Sequence, residues 1–289
     1  MAVAGIGVIP FRSVAIAGVG LLGGSLGLAM KQRGAARRVI GIGHRQSSLD
    51  KALALGAIDE ATLDIREGVA EAELTILATP VGVMTDLVKT AKESFPRGAI
   101  LTDVGSTKAE LARTIEELAG DSVHYVGSHP MAGSEKHGVE QADAGLFDNA
   151  LCFITPTSHT QPNALAVVTE FWQALGAHVR ISAPPEHDRL VAQASHLPHV
   201  VAAMLVNVTT PDAMACIGKG FRDTTRVASG NPRMWADVCL QNRDRILEAL
   251  RSFSHEIRTV SDIIDRKAEA ELLAWLEAAK AVRDHHVQA

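Results

Sequence analysis

The chain has 289 residues, a formal net charge of −5, and ordinary shares of hydrophobic (47%) and charged (21%) residues, as expected of a two-domain globular protein. The acidic balance carries no nucleic-acid signal, no run reaches the roughly 18 uninterrupted apolar residues of a membrane span, and the first residues lack a signal peptide's basic start, so a cytoplasmic location is expected. Cys152, Cys216 and Cys239 lack CxxC spacing, which argues against a disulfide framework or a zinc site.

Residues 1–12 read as a leader beside a sheet. Ala4-Gly5-Ile6-Gly7 has Pro10 where a third glycine would fall. Val14–Ala17 reads as a strand that runs through Gly18-Val19-Gly20-Leu21-Leu22-Gly23 into a helix ending at Gly34. A GxGxxG between strand and helix is a dinucleotide fingerprint, with helix N–H groups facing a pyrophosphate. Gly18, Gly20, Leu21, Leu22 and Gly23 are therefore candidate cofactor contacts.

Strands over Arg38–Ile42, Leu74–Ala78, Ala99–Thr102 and His124–Val126 alternate with helices over Ser48–Leu55, Val81–Glu93 and Lys108–Leu118. Leu151–Thr155, a helix over Asn163–Leu175 and His178–Ile181 complete an α/β, doubly wound parallel sheet of Rossmann type. Ala183-Pro184-Pro185 breaks the pattern. Helical spacing then holds over Glu186–Asn207, with a kink at Pro198, over Met234–Arg251, and from His255 to about Arg283. Two domains are expected: a dinucleotide-binding domain over 1–182 and an all-helical one over 183–289. Leu272, Leu273, Trp275 and Leu276 in the latter suit dimerisation or packing on the first domain.

Ligands of open parallel sheets bind beyond the strands' carboxyl ends. Thr79-Pro80, Asp103 through Lys108, and Gly127 through Glu135 should meet in that crevice, with Thr79, Pro80 and Asp103 toward a cofactor. Thr107-x-x-Glu110 reads as a capping box, which leaves Ser106 available to the crevice. His129, before Pro130 in a polar loop, is the strongest catalytic candidate, able to take a proton from a hydroxyl. Ser106 could bond its other ring nitrogen. Arg222 and Arg226 share a helix face beside Asp223, either as a solvated ion-pair surface or as a carboxylate clamp. His196 and His199 lie one turn apart, but nothing completes a metal set. No acidic residue follows the second strand. His44, Arg45, Ser47 and Ser48 stand there instead and suit a 2′-phosphate, so NADP is favoured over NAD.

With these motifs assembled, the chain resembles the prephenate/arogenate dehydrogenase family of tyrosine biosynthesis. The motifs are Gly18 through Ser25, Asp103 through Lys108, His129 through Glu135, Ser195 through His199, and Gly220 through Arg226. The resemblance implies NAD(P)-dependent oxidative decarboxylation of prephenate or arogenate. His129 is then the catalytic group on the ring hydroxyl, Ser106 orients it, and Arg226 binds a carboxylate. Ser134, Glu135, Arg222, Asp223, Trp235 and His199 belong to or near the substrate pocket, and the helical domain forms a homodimer. A β-hydroxyacid or imine reductase, or a dinucleotide-sensing protein without catalysis, is the competing reading.

Overall fold

In a computed structural model, residues 10–133 and 137–287 are described. Val14–Ala17 (β1) is entirely buried. It lies at the middle of an eight-stranded sheet with Val39–Ile42 (β2), Glu60–Thr62 (β3), Leu74–Leu77 (β4), Ala99–Asp103 (β5), Val123–Pro130 (β6), Leu151–Thr155 (β7) and His178–Ile181 (β8), in the order β3-β2-β1-β4-β5-β6-β7-β8. Helices Leu21–Arg33 (α1), Gln46–Ala54 (α2), Ile65–Val69 (α3), Val81–Ala91 (α4), Ala109–Ala119 (α5) and Pro162–Ala174 (α6) connect them. Two largely aliphatic cores result, with Phe147, Phe171 and Trp172 in one and Phe95 and Tyr125 in the other, as expected for a parallel sheet covered on both faces. Phe11 precedes β1 and makes one parallel bridge to Ala36.

The sheet is not parallel throughout. Val123–Val126 of β6 pairs parallel with β5, whereas Gly127–Pro130 pairs antiparallel with Cys152–Thr155 of β7. His129 therefore lies inside a strand, opposite Phe153, and not in the loop its polar neighbours suggest. The short edge strand β3 and the one-turn helix α3 have no counterpart in the sequence reading.

Beyond Ile181 the described residues are helical: Pro184–Val191 (α7), Leu197–Val208 (α8), Pro211–Met214 (α9), Lys219–Thr225 (α10), Pro232–Gln241 (α11), Arg243–Asp265 (α12) and Glu269–Val287 (α13). A π-helical turn, Ala192–His196, joins α7 to α8. Pro198 cannot donate to the preceding turn, and the wider turn absorbs that loss. By length and composition the run Pro184–Val208, with a window of mean hydropathy 1.2, could cross a membrane, contrary to expectation. Its first part, however, carries Glu186, Asp188 and Arg189, and Asp188 is bonded to the backbone at the start of α5.

The described chain divides into two compact units, one ending at Asn242 and the other starting at Arg243. The first thus contains the whole sheet together with α7 to α11. In the second, α12 and α13 pack on each other and Trp275 Nε1 donates to Glu256. Leu273 and Leu276 of α13 remain exposed.

Candidate active site

The turn after β1 shows what each glycine does. Gly18 has φ +100°, and a Cβ on it would lie 2.6 Å from the Ala78 carbonyl oxygen. A Cβ on Gly23 would stand 2.0 Å from the Gly18 oxygen, so only glycine lets α1 sit this close to the turn. Gly20 faces open space. Among the described residues no side chain caps α1, which leaves the N–H groups around Leu21 and Leu22 open toward that space. Thr79 Oγ1, at the end of β4, is buried without a described partner. Open helix donors, a bare Gly20 and an orphaned hydroxyl fit a pyrophosphate bound here. His44, Arg45 and Ser47 are exposed at the end of β2, and Ser48 is partly exposed. Arg45 stands at the start of α2 and donates to His44 Nε2 (3.0 Å).

Asp103, expected at the cofactor, has another place. It is fully buried. Its Oδ2 accepts from Gly105 N (2.8 Å) and pairs with the equally buried Lys108 ammonium. Its Oδ1 accepts from Tyr125 Oη (2.9 Å) and Ser128 N (3.2 Å). The carboxylate is thus occupied holding β5, β6 and the intervening turn together. Burial, then the neighbouring Asp103 carboxylate, push the Tyr125 phenol well above its usual range.

The capping box also fails to form. Thr107 Oγ1 donates to Gln241 Oε1 (2.6 Å), and Asp188 takes the cap instead. The Asp188 carboxylate accepts from the N–H groups of Lys108 (2.8 Å) and Ala109 (2.9 Å). A carboxylate with two oxygens serves the positive end of α5 better than one hydroxyl.

The same Asp188 joins a buried chain of side chains. His187 Nδ1 lies 2.8 Å from Asp188 Oδ1, and His187 Nε2 lies 2.8 Å from His129 Nδ1. The ring nitrogen of His129 expected to bond Ser106 is thus held by His187; Ser106 stands half-buried in the turn. His129 is 8% exposed. Burial, then His187 and Lys108, hold its pKa well below the ordinary imidazole value, so the ring is neutral at pH 7. Burial also lowers His187, against the pull of Asp188. For Asp188, burial alone would raise the carboxyl. Hydrogen bonds from His187, Ala109 and Lys108 outweigh it and hold the group below its usual value.

The Asp188 carbonyl accepts from Asn242 Nδ2 (2.8 Å), which also lies 3.1 Å from His196 Nδ1. His196 packs edge-on against Trp235, and His199 stacks flat on Trp235 with centroids 3.5 Å apart. His196 Nε2 and His199 Nδ1 are buried without a described partner. A Cβ on Gly230 would lie 2.5 Å from Trp235 Nε1 and 3.1 Å from His199 Cε1. This close approach brings the preceding 3₁₀ turn, Arg226–Ser229, beside the histidines. Arg222, Asp223 and Arg226 are exposed, and α10 gives way to the 3₁₀ turn at Arg226. Ser134 and Glu135 lie outside the described residues. Among the described residues no three His, Cys, Asp or Glu side chains are grouped to hold a metal. A cleft of about 860 Å³ lined by Arg113, Glu116, His124 and His159 runs along α5; it takes in Ala109 and Tyr125 but not His129, His187 or Asp188.

Sequence reasoning missed His187, Asp188 and Asn242. The one local signal was an adjacent His-Asp pair opening a helix behind two prolines.

The family description "Prephenate dehydrogenase, nucleotide-binding domain" matches residues 26–181, and "Prephenate dehydrogenase, dimerization domain" matches residues 183–278. The chain is 36% identical to a prephenate dehydrogenase of Bacillus subtilis, over 94% of this chain and 75% of that one. It is 30% identical to a cyclohexadienyl dehydrogenase of Zymomonas mobilis, over 96% and 99%. The crystal structure of prephenate dehydrogenase from Aquifex aeolicus, in complex with hydroxyphenyl propionate and NAD+, superposes with a TM-score of 0.89 at 32% identity, covering 95% of this chain and 98% of that one. With both parts of the chain matched in order, and a dinucleotide turn and a buried histidine at the ends of one sheet, this chain belongs to the prephenate dehydrogenase family of NAD(P)-dependent oxidoreductases.

Proposed function

We propose that His129 accepts the proton of the ring hydroxyl of prephenate or arogenate while the ring carboxylate leaves as carbon dioxide. The observation that carries this reading is a neutral, buried imidazole with Nδ1 engaged, at the strand ends that also form the dinucleotide turn. A neutral ring keeps a lone pair for the hydroxyl proton; an imidazolium would have none. A bound nicotinamide supplies the hydride acceptor. The turn Gly18–Gly23, Thr79 and Pro80 hold its pyrophosphate side, and Ser106, in the turn that follows β5, is assigned to the reacting end of the pocket. Arg226, with Arg222, takes a substrate carboxylate as a bidentate fork. Asp223, His199, Trp235, Ser134 and Glu135 bound the pocket.

NADP is the preferred cofactor, since His44, Arg45, Ser47 and Ser48 offer donors and positive charge where a 2′-phosphate would sit. The chain acts as a cytoplasmic homodimer joined through its C-terminal helices, where Leu273 and Leu276 are exposed. The test is an absorbance assay for reduced nicotinamide with purified protein, prephenate or arogenate, and NAD+ or NADP+. Reduction in at least one pairing is expected. Silence in all four refutes the reading.

A further inference from the structure

We propose that His187 and Asp188 are positioning residues that lock His129 in the tautomer with its lone pair on Nε2. The inference rests on the reading of His129 as proton acceptor. An ionised carboxylate can only accept, so the His187 nitrogen facing Asp188 Oδ1 at 2.8 Å must carry the hydrogen. A neutral His187 then presents a lone pair at Nε2. His129 Nδ1, 2.8 Å away, must donate to it. Nε2 is left as the free acceptor. Any other assignment sets two hydrogens or two lone pairs against each other in a buried place, at the cost of an unsatisfied polar group.

Asp188 itself cannot turn, because Lys108 N and Ala109 N hold both its oxygens at the start of α5. One proton moves when the site acts, from the substrate hydroxyl to His129 Nε2. The Nδ1 hydrogen stays in place, and its bond to His187 strengthens as the ring becomes positive. The groups facing this chain are the Lys108 ammonium, already paired with Asp103, and His196 from the π turn. His129 comes from β6 and the pair from α7, so the tautomer is installed when α7 packs on the sheet.

The test compares Asp188→Asn, His187→Gln and His187→Leu with His129→Asn in the full chain. Lys108 N and His187 share Oδ1 while Ala109 N takes Oδ2, so an asparagine that keeps its oxygen on Ala109 N turns its NH₂ toward His187 and reverses the chain, whereas one that keeps it on Lys108 N leaves the chain intact. Reversal should lower kcat by about 10² to 10⁴-fold, with substrate KM and cofactor Kd unchanged. Glutamine places Oε1 where His187 Nε2 stood and still accepts from His129, so His187→Gln should turn over about ten-fold or more faster than His187→Leu. A role in packing alone would not separate these two. Should Asp188→Asn fail to fold or turn over as wild type does, the Gln and Leu pair decides. Wild-type kcat in His187→Leu overturns the proposal, as does a His187→Gln variant as slow as His187→Leu. If His129→Asn is inactive while His187→Leu is as active as wild type, only the positioning role falls. If His129→Asn keeps its turnover, the acceptor reading falls with it.

Discussion

Replacing His196 with glutamine should remove a measurable part of the protein's acid sensitivity. The imidazole is 1% exposed, and burial lowers its pKa to about 4; Asp188 opposes this, while His187 and His199 reinforce it. In the unfolded chain the group titrates near 6.5, so on acidification the unfolded state takes up the proton first. Stability is therefore lost as pH falls through 6.5, and the loss levels off below 4. At about 1.4 kcal/mol per pKa unit, the cost from this residue is roughly 2 kcal/mol at pH 5 and about 3 kcal/mol once the folded group also protonates. Urea unfolding at pH 7.5 and pH 5, followed by tryptophan fluorescence and circular dichroism, gives the difference for wild type and variant. His129 and His187 are also held low by burial and keep some slope in both proteins. The informative quantity is thus the difference between the slopes, expected near 2 kcal/mol. Equal slopes would show that His196 is not held neutral in the fold.

His129→Asn should lose about two to four orders of magnitude in kcat while cofactor affinity, measured by fluorescence titration, stays unchanged; retained turnover removes it from the chemistry. Arg45→Ala should raise KM for NADP+ about ten-fold and leave NAD+ unaffected, the loss of one charge-assisted contact. Parallel changes for both cofactors would exclude a 2′-phosphate contact. Lys108→Met leaves the buried Asp103 carboxylate without its cation and should cost about 3–5 kcal/mol in urea unfolding. Adding Asp103→Asn should return part of that loss, and a fully additive double variant would refute the pairing argument.

Much of the sheet was legible because buried parallel strands read as short apolar runs, as in Val14–Ala17 and Leu74–Leu77. Glu60–Thr62 gave no such signal: it is a three-residue edge strand whose residues are all at least partly exposed. The second half of β6 was hidden for a different reason. Gly127-Ser128-His129-Pro130 is polar and ends in proline, a pattern that argues against a strand. Only its partner β7 reveals the pairing. The capping box misled because Thr107 and Glu110 satisfy a local rule that a distant carboxylate overrides.

What local spacing cannot carry is the coupling of the candidate catalytic histidine to the rest of the fold. His129 meets His187 across 58 positions, Lys108 N meets Asp188 across 80, and Asn242 reaches the Asp188 carbonyl across 54. Each contact forms only after chain closure over those distances, so no window of the sequence contains it. The residue types still constrain the outcome. A buried carboxylate must find donors, and here helix N–H groups and an imidazole supply them. Asp188 therefore serves stability and chemistry through the same two oxygens. A substitution there cannot disturb one without the other, whereas His187 forms hydrogen bonds only within the proton chain, its ring packing edge-on against Phe153, and an isosteric acceptor there can separate them.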